Sequence, residues 1–169
     1  MRTNPMPREW TGEMQRNREE DALVEDFSVS RNETLVTFHD LPPGQGVVGD
    51  ILSTLAAVGI GVDLISETSR EDGRISLSFT MPTPSLDKGL SALSTHGKPL
   101  YDSLVLKLTI EGRNLRTNPA IAAEFFRVLG KNRVHPLMIS TSENRISTLV
   151  NNSDFNPQLE EQIIKTLGL

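Results

Sequence analysis

Apolar and polar positions along this chain fall into a run of short elements that is written twice. Leu23, Glu25, Phe27 and Val29 alternate with Val24, Asp26, Ser28 and Ser30, the period of a strand, and Glu25 and Asp26 place that strand at or near a sheet edge. Arg31-Asn32-Glu33 turns the chain into a second strand, Thr34 to His39. Leu41-Pro-Pro-Gly-Gln-Gly46 holds two prolines and two glycines and reads as a loop. A helix follows from Val47 to Val58, with Val48, Ile51, Leu52 and Leu55 on its stripe and Gly59 as its stop. Next come a strand from Ile60 to Ile65 and a polar turn from Glu67 to Gly73 that closes on Asp72-Gly73. The strand from Arg74 to Met81 carries Ile75, Leu77, Phe79 and Met81 on one face. Pro84 opens a helix that runs to about Thr95, and Leu100-Tyr101 forms a brief closing strand. The second copy has a strand at Leu104 to Ile110, a helix at about Asn118 to Leu129, a strand at Leu137 to Ser140, a turn at Thr141 to Asn144 and a strand from Arg145 to Val150. A last helix is capped by Ser153 or Asp154, has Pro157 in its first turn, and shows Leu159, Ile163 and Leu167 as its stripe.

A shift of about 74 residues lays the first copy on the second, as expected of an internal repeat. Val36 then meets Ile110, and Ile51 and Leu55 meet Phe125 and Leu129. Ile60, Leu64 and Ile65 meet Val134, Met138 and Ile139. After a shorter turn, Ile75 and Phe79 meet Ile146 and Val150. The fold class is therefore α+β: two antiparallel sheets, each with helices on one face. The second copy ends on a helix and lacks a final strand, while the early strand has no role in the first copy. The economical solution inserts the first unit, 31–102, within a second unit built from 22–30 plus 103–169. Residues 1–21 read as a disordered lead-in, with Trp10 an exposed aromatic in it.

Composition narrows the function. A formal charge of −5 and a pI near 5.2 argue against nucleic acid as the main partner. The chain has no cysteine, which removes thiol catalysis, disulfides and thiolate metal sites and suits a cytoplasmic protein. No stretch approaches the roughly 18 apolar residues of a membrane span, and Met1 to Glu20 holds no apolar signal core.

Enzyme signatures fail in turn. DLPPGQG is not a phosphate-binding GxxxxGK[ST] loop, and no GxGxxG turn is present. His39, His96 and His135 stand apart from one another and from carboxylates at ligand spacing, so no metal or other cofactor is expected. Ser140, Thr141 and Ser142 have no base placed beside them and read as turn-forming residues. Two strand-to-helix loops remain, Leu41 to Gly46 and Arg113 to Asn118. Each leads into a helix N-terminus, whose unpaired N–H groups and positive dipole suit a carboxylate. A plain tight turn is the other reading of each loop.

At these residues the chain, from Ala22 to Leu169, resembles the tandem ACT-domain regulatory region of aspartokinase. The strings that carry the resemblance are DALVEDFSVSRNETLVTF, DLPPGQG before a helix, GIGVDLI, DGRISLSFTMP, PLYD and LMISTSENRIS. The last is similar to the family's ISTSEIRIS signature. GRNLRTNPAIAAEFF resembles the family's Gly-x-Met-x-x-His-Pro-Gly-Val loop and the helix after it. The resemblance implies two ferredoxin-like (βαββαβ) ACT units, one inserted in the other, and pairing of chains. It implies an effector, lysine or threonine, bound between ACT units. Nothing resembles the kinase half's Lys-Phe-Gly-Gly-Thr-Ser start, so the chain alone is not expected to phosphorylate aspartate.

The departures bear on the ligand. Pro43 replaces the acidic residue of the family's Pro-Asp-x-Pro-Gly loop, and Gln45 its second proline. Glu67-Thr68 stands for a Gln-Asn pair, His135-Pro136 for an Asn-Ile strand start, and Asn118-Pro119-Ala120 for His-Pro-Gly. The effector site implied by the resemblance comprises Gln45, Gly46, Val47, Val48, Glu67, Asn118, His135, Pro136, Thr141 and Ser142. Glu67 would favour an amine over a carboxylate. The expected function is a regulatory chain that senses a lysine- or threonine-type amino acid, binds a kinase-bearing chain, or both, and that forms homodimers. The alternative is an assembly module whose effector site has decayed.

Overall fold

A computed structural model describes residues 24–42, 46–69, 71–113 and 115–169. These residues form two four-stranded antiparallel sheets. The first contains β2 (Glu33–Leu41), β3 (Ile65–Ser69), β4 (Ile75–Pro82) and β5 (Leu100–Asp102) in the order β3-β4-β2-β5, with helices α1 (Val47–Ala57) and α2 (Leu86–Leu93). The second contains β1 (Val24–Ser30), β6 (Val105–Gly112), β7 (Met138–Thr141) and β8 (Arg145–Asn151) in the order β1-β6-β8-β7, with α3 (Pro119–Lys131) and α4 (Pro157–Leu167). The earliest described strand thus pairs with β6, from Val24 opposite Gly112 to Ser30 opposite Lys107. The first unit is inserted in the second, as the unpaired strand required.

Alternation decides which side of each sheet is dry. Ile75, Leu77, Phe79 and Met81 of β4 join Val36 and Phe38 of β2 beneath Ile51 and Leu55 of α1 and Leu93 of α2. In the second unit Leu106, Leu108 and Ile110 of β6 and Ile146 and Val150 of β8 meet Phe125 and Leu129 of α3 and Leu159 and Ile163 of α4. Phe27 and Val29 of β1 close the flank of that core. The repeat persists in detail: the Ile60 N–H donates to the Leu55 carbonyl at 3.0 Å, and the Val134 N–H to the Leu129 carbonyl at 3.0 Å. Repeat partners also share their burial, since Leu64 and Met138 are buried while Ile65 and Ile139 are exposed.

The opposite faces of the two sheets meet each other. Leu64, Val105, Met138 and Leu149 form a third apolar cluster there, with Leu35 packed against it. Polar links also join the units: the Thr34 and Ser103 hydroxyls lie 2.8 Å apart, and the Arg31 guanidinium donates to Asn152 Oδ1 at 3.3 Å.

Several boundaries differ from the sequence reading by a residue or two, among them the helix expected from Pro84 to about Thr95, which is Leu86–Leu93 between short 3-10 turns, and three differences bear on the packing or the caps. The strand expected at Ile60 to Ile65 is β3, Ile65–Ser69, so the turn expected from Glu67 shrinks to the residues around Asp72-Gly73. Ile60 and Leu64 are apolar because they fill two different cores from an extended segment, while every residue of β3 is exposed. Leu104, expected to begin a strand, lies before β6 and is 72% exposed. The last helix is capped by Asn156, not Ser153 or Asp154: its side chain accepts from the Leu159 N–H at 2.9 Å. Ser153 and Asp154 belong to a short 3-10 turn before it.

Candidate functional site

Both units bring a helix start and the far end of an edge strand to the same end of their sheet. In the first unit β2 ends at Leu41 opposite Ile75, and Ile75 pairs with Ser69 at the end of β3. Glu67, in register with Leu77, is exposed two residues before that end. Gly46, Val47 and Val48 begin α1 there. Gly46 has φ 110°, the left-handed region that glycine enters freely, and has no side chain to cap the helix. Val47 and Val48 pack their side chains on the core, so only their backbone N–H groups can serve a ligand. Asp50 already contributes a negative charge to this first turn.

In the second unit the loop before α3 is tied to the β7–β8 turn. The Gly112 N–H donates to the Asn144 carbonyl at 3.1 Å, and the Arg116 N–H to the Glu143 carbonyl at 3.2 Å. Asn118, Thr141 and Ser142 are therefore gathered at one end. The Ser142 N–H donates to the Arg145 carbonyl at 2.8 Å, closing the turn. Asn118 differs from Gly46: its side-chain Oδ1 accepts from the Ala120 N–H at 3.2 Å, where a ligand's carboxylate would otherwise sit. His135 and Pro136 precede β7, whereas Ser142 follows it. The four residues of β7, at about 3.3 Å each, alone span roughly 13 Å between them, so within one unit these residues do not line one small ligand. Gln45, Pro43 and the segment 1–23 lie outside the described residues.

The arrangement that linear reading missed lies between the units. Lys107, on β6, reaches Glu33 at 2.7 Å and also pairs with Asp63, both in the first unit. Burial alone would lower its pKa, but hydrogen bonds and the charges of Asp63 and Glu33 outweigh that and hold it above its ordinary value of 10.5. The one linear signal was a lysine flanked on β6 by Leu106 and Leu108. Beside it a cavity of about 240 Å³ is lined by Asp63, Leu64, Ser140, Ser142, Arg145 and Ser147.

No group of three metal-binding side chains occurs among the described residues. His96 and His39 meet hydroxyls instead, Thr54 at 2.8 Å and Ser76 at 3.4 Å. Among the described residues no helix is long and apolar enough to cross a membrane.

Comparison with known proteins agrees with this geometry. Residues 108–159 match the ACT domain family. Aspartokinase 2 of Bacillus subtilis is 31% identical over 148 residues, which are 84% of this chain and 36% of the relative. The chain thus spans about a third of the length of that curated relative. A chain from the crystal structure of aspartokinase alpha and beta subunits superposes with a TM-score of 0.77 at 26% identity, covering 86% of this chain and 99% of that one. The ligand-free regulatory subunit of aspartate kinase from Thermus thermophilus superposes with a TM-score of 0.75 at 22% identity, over 86% and 96% of the two chains. The 169 residues are similar to the aspartokinases over the ACT-domain regulatory part of those proteins.

Proposed function

We propose that this regulatory chain senses an amino acid of the lysine or threonine type and pairs with a second copy of itself or with a kinase-bearing aspartokinase chain. The observation that carries the sensing role is the uncapped start of α1 at the same sheet end as Glu67. The N–H groups of Val47 and Val48 would take the ligand's carboxylate, and Glu67 a side-chain amine. Lysine is favoured over threonine because only lysine carries that second amine. Asn118, Thr141 and Ser142 form the corresponding place in the second unit. His135 and Pro136 can join either place only from another unit, which ties sensing to chain pairing. That pairing would use the edge strands β3 and β7, where Ile65 and Ile139 are exposed at equivalent positions.

Titration calorimetry with lysine and threonine, on the native chain and on Glu67→Gln, tests the sensing role. Lysine should bind more tightly than threonine, and Glu67→Gln should weaken lysine by about fivefold, the order of one partly exposed charge pair. Silence from both amino acids would favour the second reading, an assembly module with a decayed site. The side-chain cap that Asn118 places on α3 is the observation on that side.

A further inference from the structure

We propose that the groove between α3 and α4, on the outer face of the second unit, is a docking site for this chain's own acidic run, Glu19-Glu20-Asp21. One face of that unit's sheet packs on the first unit and the other on these helices, so the helices form the outer layer. They run antiparallel. Asn118 and Ala120 at the start of α3 share a cavity of about 240 Å³ with Leu167 and Gly168 at the end of α4. Past the other end of α3, the Asn132 side chain donates to Gln162 Oε1 at 2.9 Å. A second cavity, of about 210 Å³, shares Glu124 and Thr166 with the first, so the two form one groove along the helix seam.

The chemistry of the groove changes along its length. At its start Val24, Ile121 and Leu167 are apolar and only partly buried against the core. Farther along, Arg127 and Lys131 stand one turn apart on α3, and Lys165 faces the groove from α4. All three cations are exposed, and among the described residues none has an ion-pair partner. Like charges at i and i+4 on a helix repel, so Arg127 and Lys131 carry a local cost that an anion would relieve. Against these three cations the lining holds one acid, Glu124, although the chain as a whole carries −5. The sequence before Val24 has the matching order. Leu23 and Ala22 come first, then Asp21, Glu20 and Glu19. Val24 itself lines the groove, so the run begins at its mouth. From Ile121 to Lys131 the helix rises about 15 Å, at roughly 1.5 Å per residue. The five steps back from Val24 to Glu19 span about 16 Å of extended chain. The acids therefore come level with the cations while Leu23 stays beside Ile121 and Leu167. Docking would cover the helix face of this unit and hold the edge strand β1 at its first residue, leaving the edges β3 and β7 open.

Backbone nitrogen relaxation of the full chain at low salt tests this, with β1 as the internal reference. Residues 19–21 should show order parameters near the ~0.85 of rigid backbone, and the double variant Arg127→Glu/Lys131→Glu should drop them below ~0.6. Salt at about 0.5 M should do the same, since the pairs are exposed. Adding Glu19→Lys/Glu20→Lys to that double variant should restore the order, because the charges again match. Arg127 and Lys131 are exposed, so unchanged core amide shifts will show that the fold is kept. Dilution by about tenfold should leave the order as it is, because the contact lies within one chain. Order lost on dilution would put the run on a second copy and overturn the proposal. It falls equally if residues 19–21 lie below ~0.6 in the native chain, or if their order survives Arg127→Glu/Lys131→Glu.

Discussion

Gly59 and Arg133 occupy the same place in the two repeats and solve the same problem with unequal means. Each follows its helix in the left-handed region, with φ 72° and φ 60°, and each donates its N–H back to the last turn, to Ala56 at 2.9 Å and to Gly130 at 3.1 Å. For glycine that conformation is free of Cβ strain. For an L-residue such as arginine it costs about 1–2 kcal/mol. Arg133 is exposed, so replacing it removes no buried contact. Arg133→Gly should therefore stabilise the chain by about 0.5–1 kcal/mol, the strain relieved less the extra entropy that glycine loses on folding. Gly59→Ala should cost about 1 kcal/mol, because open space around its Cβ leaves only the backbone penalty. Chemical denaturation of both variants checks the pair. If the two substitutions shift stability in the same direction, the strain argument is wrong.

At the scale of elements, the edge strands set how the molecule can associate. β3 and β7 each end a sheet, and each exposes one isoleucine among polar residues, Ile65 at 47% and Ile139 at 55%. A charge on an edge strand blocks pairing without disturbing the core behind it. If chains pair there, Ile65→Lys or Ile139→Lys should lower the mass seen by light scattering toward the 18.7 kDa of one chain and leave the melting temperature within a few degrees. An unchanged mass in both variants would exclude these edges. The same strands show why part of the fold was hidden in the sequence. Central strands announce themselves: Ile75 to Met81 alternates because one face is dry, and Leu106 to Ile110 does the same. β3 buries nothing, so its ISETS segment carries no apolar period, and the apolar residues before it suggested a strand five residues too early. Asn156 was passed over as a cap because Ser153 and Asp154 were equally suitable by type, and only the path of the backbone distinguishes them. The starts of α1 and α3 were visible because Gly46 and Asn118-Pro119 mark helix entries locally. The inter-unit cleft was not, since Asp63 and Arg145 share no local pattern.

For the whole molecule, the contact that joins the units around a charge is Lys107 with Glu33 and Asp63. The Glu33 side chain is only 10% exposed and otherwise holds the Ser30 hydroxyl at 3.2 Å. Removing its cation leaves a nearly buried carboxylate, which is worse than losing an exposed pair. Lys107→Met keeps the aliphatic stem and deletes the charge. It should destabilise the chain by about 1–2 kcal/mol at neutral pH, a range held down by the exposure of Asp63. Adding Glu33→Gln should recover part of that loss, because the orphaned charge goes too. The pH dependence has a definite sign. The folded pKa of Lys107 lies above the unfolded value near 10.5, so its contribution is complete below 10.5 and fades as pH rises through the folded value. Urea denaturation of the native chain and Lys107→Met across neutral to alkaline pH should therefore show a constant gap up to about pH 10 that narrows beyond it. Moderate salt should change the gap little, since Lys107 is mostly shielded from solvent. No gap at neutral pH, or a gap that stays the same as pH rises well above 10, would mean that the units are held together by Leu64, Val105, Met138 and Leu149 without help from the charge.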